Sequence, residues 1–583
     1  MGEQLKLASS LARRVNRLSN PWPAAAIAAA IAIAFVTFLP AGEDAAAHLY
    51  QTEIWRDRGW QFWDNNWYAG RYSQVNYSLV YYPLAALAST TVMVAASVAA
   101  AVAAFSRIVH ARWPSVATWP SLAFALLAPL PVLTGTYPFL LGYALALGTL
   151  AALQSGWRTL TIALAATTAV AHLLAFLLLV TAAAGIMLVT PRWWQQKNIR
   201  GLIIAFAVIA GAAALLLRAF RSPGSEYPFS IADLLVVLAF CAAGALLTGG
   251  RPDLHILFGV FGVYALLAAT AFVVPSPLGG NIGRLSLYMA APLLLVPLAV
   301  RNFRPRGIAI ALLGGALFWQ TFPAVSGLRA ATEVRASRED FWYPVEAFLA
   351  KHGDPNYRVE VVATDHHWEA FYLARRGVPL TRGWYRQDDF PANQDLYGEL
   401  TPAKYLTWLR RLGVRYVFLP ADRLDYSAEA EADFLRNGGV LPEVARIGAW
   451  TVYELPDATP IATPAGPVTV RAIDSETVTL EATEPGNYRL RLRYTPYWRV
   501  TRGDACVARD EPWATELRVS TPGIITLRFD VGVGKVVTTV LGRSAACVDP
   551  TTGVKLRARP TVDPDGVPMR APRASSPGST RSR

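Results

Sequence analysis

The sequence predicts a multi-span α-helical membrane domain followed by an exported α/β domain and a β-sandwich. Three observations carry that prediction. Long apolar segments recur up to about residue 323, in a 583-residue chain that is 53% hydrophobic. Only 16% of residues are charged, against ~25% in an ordinary soluble domain. Beyond residue 339 helical and strand periods alternate, and from about 458 only short strands recur.

The mean hydropathy is +0.30. The formal charge of +13 does not point to nucleic acid, because many Lys and Arg sit in short gaps between apolar segments, where they set membrane orientation. Eleven spans are expected, near 21–39, 79–104, 117–133, 137–153, 159–171, 173–190, 201–217, 231–248, 254–274, 285–300 and 307–323. Arg13, Arg14 and Arg17 precede the first, which carries no cleavage site and reads as an anchor rather than a cleaved signal.

The stretch 159–190 reads as two short helices broken at Ala171-His172. With the break, the inner side holds Lys6, Arg13, Arg14, Arg17, Arg107, Arg112, Arg158, Arg192, Lys197, Arg200, Arg251, Arg301, Arg304 and Arg306. The outer gaps hold only Arg56, Arg58, Arg71, Arg218, Arg221 and Arg284. A single helix would move the arginines of RNFRPR outside, against the positive-inside bias. The resulting topology has a cytoplasmic N-terminus. It gathers the first outer loop (40–78), His172, the 218–230 and 275–284 loops and the whole C-terminal half on one outer face.

In the C-terminal half, FWYPVEAFLAKHG reads as a helix, YRVEVVA as a strand and HWEAFYLARRG as a helix ended by Gly377. TPAKYLTWLRRLG is a helix with Thr401 as N-cap, Pro402 in the first turn and Gly413 just past the end. VRYVFLP follows as a strand. These form an α/β domain over 339–456. Alternating strands over 458–548 form the sandwich, and 556–583 reads as a disordered basic tail. Cys241 lies in an apolar segment. Cys506 and Cys547 fall in the exported part, where a disulfide is chemically allowed, but their spacing does not decide whether they pair.

The candidate chemistry centres on the first outer loop, GEDAAAHLYQTEIWRDRGWQFWDNNWYAGRYSQVNYSLVYYP. Glu43 and Asp44 lie just past the first span. If Asp44 begins a helix, it shares a face with His48 one turn on. A carboxylate there can take a proton from an acceptor hydroxyl or hold a divalent ion such as Mg or Mn, with Asp44 the metal ligand. It can also simply cap the helix. Trp63, Asp64, Trp67, Tyr68 and Arg71 supply ring faces and polar handles that suit sugars, although aromatic rings also collect at membrane interfaces by default. His172 is an ionisable group inside an apolar stretch, where such groups are costly. Arg284, at the start of a span after PLGGNIG, suits a lipid phosphate, with Arg218 and Arg221 in a second outer loop as helpers. In the exported domain, Trp384, Tyr385, Arg386 and Gln387 mix aromatic and hydrogen-bonding groups and suit an acceptor. Asp365, His366 and His367 read as a solvated turn.

This arrangement resembles the GT-C superfamily of polyprenyl-phosphate-sugar-dependent membrane glycosyltransferases. The shared features are an N-terminal span, a long first outer loop with acids near its start, many spans with short gaps and an exported C-terminal part. Members carry a DxD, ExD, DD or DE motif in that loop, and the matching positions here are Glu43 and Asp44, written GED. The resemblance implies transfer of a sugar from a polyprenyl-phosphate donor to a glycan, lipid or protein acceptor on the outer face of a bacterial plasma membrane, with membrane lipids as surroundings. Asp44, Glu43 and His48 would be catalytic, and Arg284, His172, Arg218 and Arg221 would bind the donor phosphate. The alternative is an envelope lipid or glycolipid transporter, or a non-catalytic assembly protein of the same architecture.

Overall fold

The computed structural model describes residues 21–191, 197–222, 226–510, 514–542, 547–548 and 555–556. The expected basic tail lies outside them, apart from Leu556, as do Lys6, Arg13, Arg14 and Arg17.

Eight helices among the described residues are long and apolar enough to cross a membrane, and three shorter apolar helices stand beside them (Thr118–Val132, Arg158–Ala171 and Leu173–Leu188). The first, Pro21–Phe38, buries Ala25, Ala28 and Ala32 and packs along Thr90–Arg112. Small side chains on one stripe let the two backbones approach closely, which is how apolar helices associate in lipid. The chain does break at Ala171-His172: His172 is extended (φ −163°, ψ 114°) between the two short helices.

Two boundaries differ from expectation. The segment expected to span at 79–104 is two helices, Tyr81–Ala88 and Thr90–Arg112, separated by Ser89 at φ +85°. Ser89 caps the second by accepting from the Val92 amide. The last membrane helix does not stop at Pro323 but runs from Arg306 to Glu333, and at 28 residues it is roughly 42 Å long. It leads straight into the α/β domain.

The strands are numbered in chain order. A short hairpin of β1 (Trp63–Asp64) and β2 (Arg71–Tyr72) lies in the first loop. The α/β sheet has the order β3-β4-β6-β5, from β3 (Arg358–Val361), β4 (Val414–Pro420), β5 (Glu443–Ile447) and β6 (Trp450–Glu454). Only β3 and β4 are parallel. The helix before β4 is capped as its sequence predicts: Thr401 Oγ1 accepts from the Lys404 amide at 3.4 Å, and Gly413 takes φ +75°.

The sandwich comprises β7 (Ala462–Thr463), β8 (Val468–Ile473), β9 (Thr477–Ala482), β10 (Gly486–Leu490), β11 (Trp498–Arg502), β12 (Ala505–Arg509), β13 (Thr515–Val519) and β14 (Gly523–Phe529). Its two sheets have the orders β12-β13-β10-β7 and β11-β14-β9-β8. Alternate residues such as Val478, Leu480, Leu517, Ile525 and Leu527 fill the space between them. Cys506 and Cys547 form a disulfide with a Cα separation of 5.9 Å.

The first loop ties these parts together. Its helix, Ala45–Arg58, packs on the 369–376 segment of the α/β domain. Its hairpin pushes Trp63 and Tyr72 into the sandwich core, where Trp63 stacks on Phe529 at 5.5 Å between centroids.

Candidate active site

The loop that carries Asp44 is set by a close backbone crossing. The Asp44 amide donates to the Thr134 carbonyl at 3.0 Å. A side chain on Gly42 would place its Cβ 2.3 Å from the Leu133 carbonyl oxygen, and one on Gly135 would meet the Ala45 nitrogen at 2.6 Å. Gly135 also has φ +77°. Only glycine fits both positions, so the start of the 45–58 helix is pinned to the turn before the Tyr137–Gln154 span.

Asp44 stands at the N-cap position of that helix, yet its side chain makes no capping hydrogen bond. The carboxylate turns the other way, towards Arg284, with Oδ2 3.6 Å from Nη2. Both side chains are largely buried, at 11% and 17% exposure. Burial raises the Asp44 carboxyl from 3.8 to about 7; Arg284 opposes that shift and Glu43 adds to it. The Glu43 side chain is exposed, so of two adjacent acids one lies inside and one at the rim.

Aromatic rings enclose the pair. Arg284 lies over Phe139 at 5.2 Å, and its charge acts on the Tyr77 hydroxyl. Tyr77 stands between His48, at 4.9 Å, and His172, at 5.2 Å. His172 also meets Phe139 edge-on at 5.2 Å. His48 shares a hydrogen bond with the Tyr82 hydroxyl at 3.2 Å, and burial holds its imidazole well below its usual range. From the α/β domain, Trp384 Nε1 donates to the Glu43 carbonyl at 3.0 Å and the ring faces His48 at 6.0 Å.

Several polar atoms here are buried with no hydrogen-bond partner within the protein: Asp44 Oδ2, which has only its ion pair to Arg284, His48 Nε2 and both ring nitrogens of His172. Buried polar groups are nearly always satisfied, so these atoms are free to meet bound water or a ligand. Among the described residues no three His, Cys, Asp or Glu side chains come together as a metal site. The fixed cation beside Asp44 is Arg284. The residues present therefore do not fit the divalent ion considered from the sequence.

The structure brings together Asp44, Glu43, His48, His172, Arg284 and Trp384. It does not bring Arg218 or Arg221 to them. Arg218 Nε donates to the Val540 carbonyl beside the sandwich, and Arg221 is exposed.

The residues expected to bind sugar in the first loop are instead buried between domains. Trp63 and Trp67 are fully buried; Trp63 lies in the sandwich core and Trp67 Nε1 donates to the Ala370 carbonyl. The Tyr68 hydroxyl donates to the Tyr385 carbonyl. Asp64 accepts from the Asn66 amide, and Arg71 pairs with Asp388 at 2.8 Å. Of the 384–387 group, Tyr385 is buried under Arg71, which lies 3.8 Å above its ring, and Arg386 is held by both oxygens of Asp425. Trp384 and Gln387 remain partly open.

The 365–367 turn is not solvated. His366 and His367 are buried and have φ +67° and +53°. Burial pulls the His367 imidazole down, but the Asp425 and Glu369 carboxylates outweigh it and hold it up at about 9.

Three site residues carried no separate role in the sequence reading: Tyr77, Phe139 and Tyr288. Tyr288 is one helical turn past Arg284, and its hydroxyl shares a hydrogen bond with Thr136 at 3.1 Å. That spacing was the available signal.

No protein-family model matches the sequence, and none of the curated proteins does. Among solved structures the chain is similar to the oligosaccharyltransferase of Archaeoglobus fulgidus in the apo form, at 11% identity over 69% of each chain with a TM-score of 0.44. It is also similar to the archaeal oligosaccharyltransferase AglB from that organism in complex with an inhibitory peptide and a dolichol-phosphate, at 13% identity over 69% of each chain with a TM-score of 0.35. The likeness is distant.

Proposed function

We propose that this protein is a membrane glycosyltransferase that moves a sugar from a polyprenyl-phosphate donor to a hydroxyl of a glycan, lipid or protein acceptor at the outer face of the plasma membrane. The observation that carries the proposal is the buried Asp44–Arg284 pair, roofed by Trp384. Arg284 begins a membrane helix whose free N–H groups add to its charge, a suitable seat for a phosphate at the membrane surface. A phosphate there would compete for Arg284 and release Asp44 to act as base.

In the reaction, the acceptor oxygen attacks the anomeric carbon as Asp44 takes its proton. The bond from that carbon to the phosphate oxygen breaks, and the polyprenyl phosphate leaves with its charge held by Arg284. His172, whose ring nitrogens have no hydrogen-bond partner within the protein, would donate to the same phosphate. Glu43 and Trp384 form the rim where the acceptor enters. A Cys506–Cys547 disulfide fits an oxidising, extracytoplasmic location for the sandwich. The polar groups gather at helix ends rather than midway along the spans, which favours a surface reaction over a transport path.

The test is sugar transfer by the purified protein from a radiolabelled polyprenyl-phosphate sugar to envelope acceptors. Asp44→Asn should abolish transfer while the protein still folds and binds the donor. Full turnover by a folded Asp44→Asn protein would remove Asp44 from the mechanism.

A further inference from the structure

A second cleft lies away from Asp44, where the first loop meets the outer face of the sandwich. It is lined by Trp60, Phe62, Glu476, Arg499, Arg528 and Asp530, and measures about 370 Å³, within the range of small-ligand pockets. Trp60 is 46% exposed. Its ring is steadied by Trp55 edge-on at 6.3 Å and by Phe62 at 6.1 Å. Phe62 is fixed in turn, because its amide donates to Glu476 Oε1 at 3.0 Å.

The strand register adds a second observation. Arg499 of β11 and Arg528 of β14 are directly opposite each other. Like charges in that position destabilise a sheet. Arg499 pairs with Asp530 at 3.0 Å, and the charge of Arg528 lowers the Glu476 carboxyl, which burial nonetheless raises to about 7. Two guanidinium groups and two carboxyls thus share the floor as a mixed set of donors and acceptors. The same sheet face carries hydroxyls from Thr501, Thr526 and Thr479.

A flat exposed ring over a mixed set of donors and acceptors suits a neutral polyol. An anion would have to displace Asp530 from Arg499, and an apolar ligand would leave the polar groups unpaired. We propose that this cleft binds a neutral oligosaccharide, with one sugar ring stacked on Trp60 and its hydroxyls bridging the Arg499, Arg528, Glu476 and Asp530 side chains. Such a site would hold a growing glycan at a distance from the reacting end. It does not depend on what Asp44 does.

The experiment uses the full-length protein in phosphatidylcholine nanodiscs and a panel of malto-, manno-, galacto- and arabino-tetraoses, read by saturation-transfer NMR and titration. At least one tetraose should bind. Trp60→Ala should weaken that binding at least ~10-fold, and so should Arg499→Ala, which alters an exposed side chain if the first variant folds poorly. Asp44→Asn and Trp384→Ala should leave it unchanged. The proposal is overturned if no tetraose binds at millimolar concentration, if binding survives both cleft variants, if it is lost with Trp384→Ala, or if inorganic phosphate alone occupies the cleft.

Discussion

Asp44 Oδ2 lies 3.6 Å from Arg284 Nη2, and that ion pair takes the place of the helix cap Asp44 could have provided. A short acid at an N-cap position normally accepts from the helix amides, which is worth about 1 kcal/mol. Here the side chain leaves those amides and reaches across to another helix start, so two segments far apart in sequence converge at one buried charge pair.

The first prediction concerns pH. Burial raises the Asp44 carboxyl to about 7. As a base it works only when deprotonated, so turnover should rise with pH through about 7 and then level off. The shift also links stability to pH. The proton held in the fold is lost as pH rises through that value, so the stability it brings is complete below the ordinary 3.8 and gone above about 7. A pH–rate profile that is flat between pH 5 and 8 would remove this group from the rate equation.

Arg284 is tested by separating donor binding from the chemical step. Arg284→Lys keeps the charge but loses the planar fork, and Arg284→Gln loses both. Removing a donor that meets developing charge costs about 10²–10³ in kcat. Arg284→Gln should fall in that range and weaken donor binding as well, with Arg284→Lys between it and the native protein. Steady-state kinetics over a range of donor concentrations separates the two effects.

The sequence exposed the site better than its surroundings. Asp44, His172 and Arg284 were legible because each breaks a rule at a membrane face: an acid just past a span, a histidine in an apolar stretch, an arginine at a helix start. Charge bias across the gaps then put them on one side. Trp63, Trp67, Tyr68 and Arg71 were misread because a ring beside a membrane can anchor in lipid, stack on a sugar or pack between domains, and the three uses share one composition. Tertiary burial decides among them, as it does for His366 and His367, and burial by a segment three hundred residues away leaves no local periodicity. The break at Ser89 is likewise hidden, since the short Ser89-Thr90-Thr91 run is embedded in a longer apolar stretch.

Trp63 gives the clearest test of that correction. A sugar-binding tryptophan could be removed with loss of acceptor affinity alone. A fully buried one stacked on Phe529 and packed edge-on against Trp498 should not be removable that way. Trp63→Ala should cost about 3–5 kcal/mol. It should also loosen the first loop from the sandwich, seen as a lower melting temperature and new protease cleavage between residues 59 and 73. An unchanged melting curve with a raised acceptor KM would restore the sugar-binding role.

The last prediction concerns two acids inside the α/β domain. Glu360 on β3 and Glu431 are both fully buried. The Tyr405 hydroxyl donates to Glu431 Oε1 at 2.7 Å, while neither oxygen of Glu360 has a hydrogen-bond partner. Burial pushes both carboxyls up, and the charge on Glu431 pushes Glu360 further. Two adjacent carboxyls in a dry core cannot both ionise cheaply, so Glu360 is held neutral. An acid with a raised folded value contributes stability that is complete below its ordinary 4.5 and is lost as pH rises through the folded value. The domain should therefore melt at progressively lower temperature as pH increases from 5 towards 9. Glu360→Gln supplies a neutral group of the same shape that cannot ionise. It should stabilise the domain at high pH by on the order of 1–2 kcal/mol and flatten the pH dependence. If Glu360→Gln instead destabilises the domain at every pH, the carboxylate is charged in the fold and its partner is Arg382, the cation whose charge acts on it.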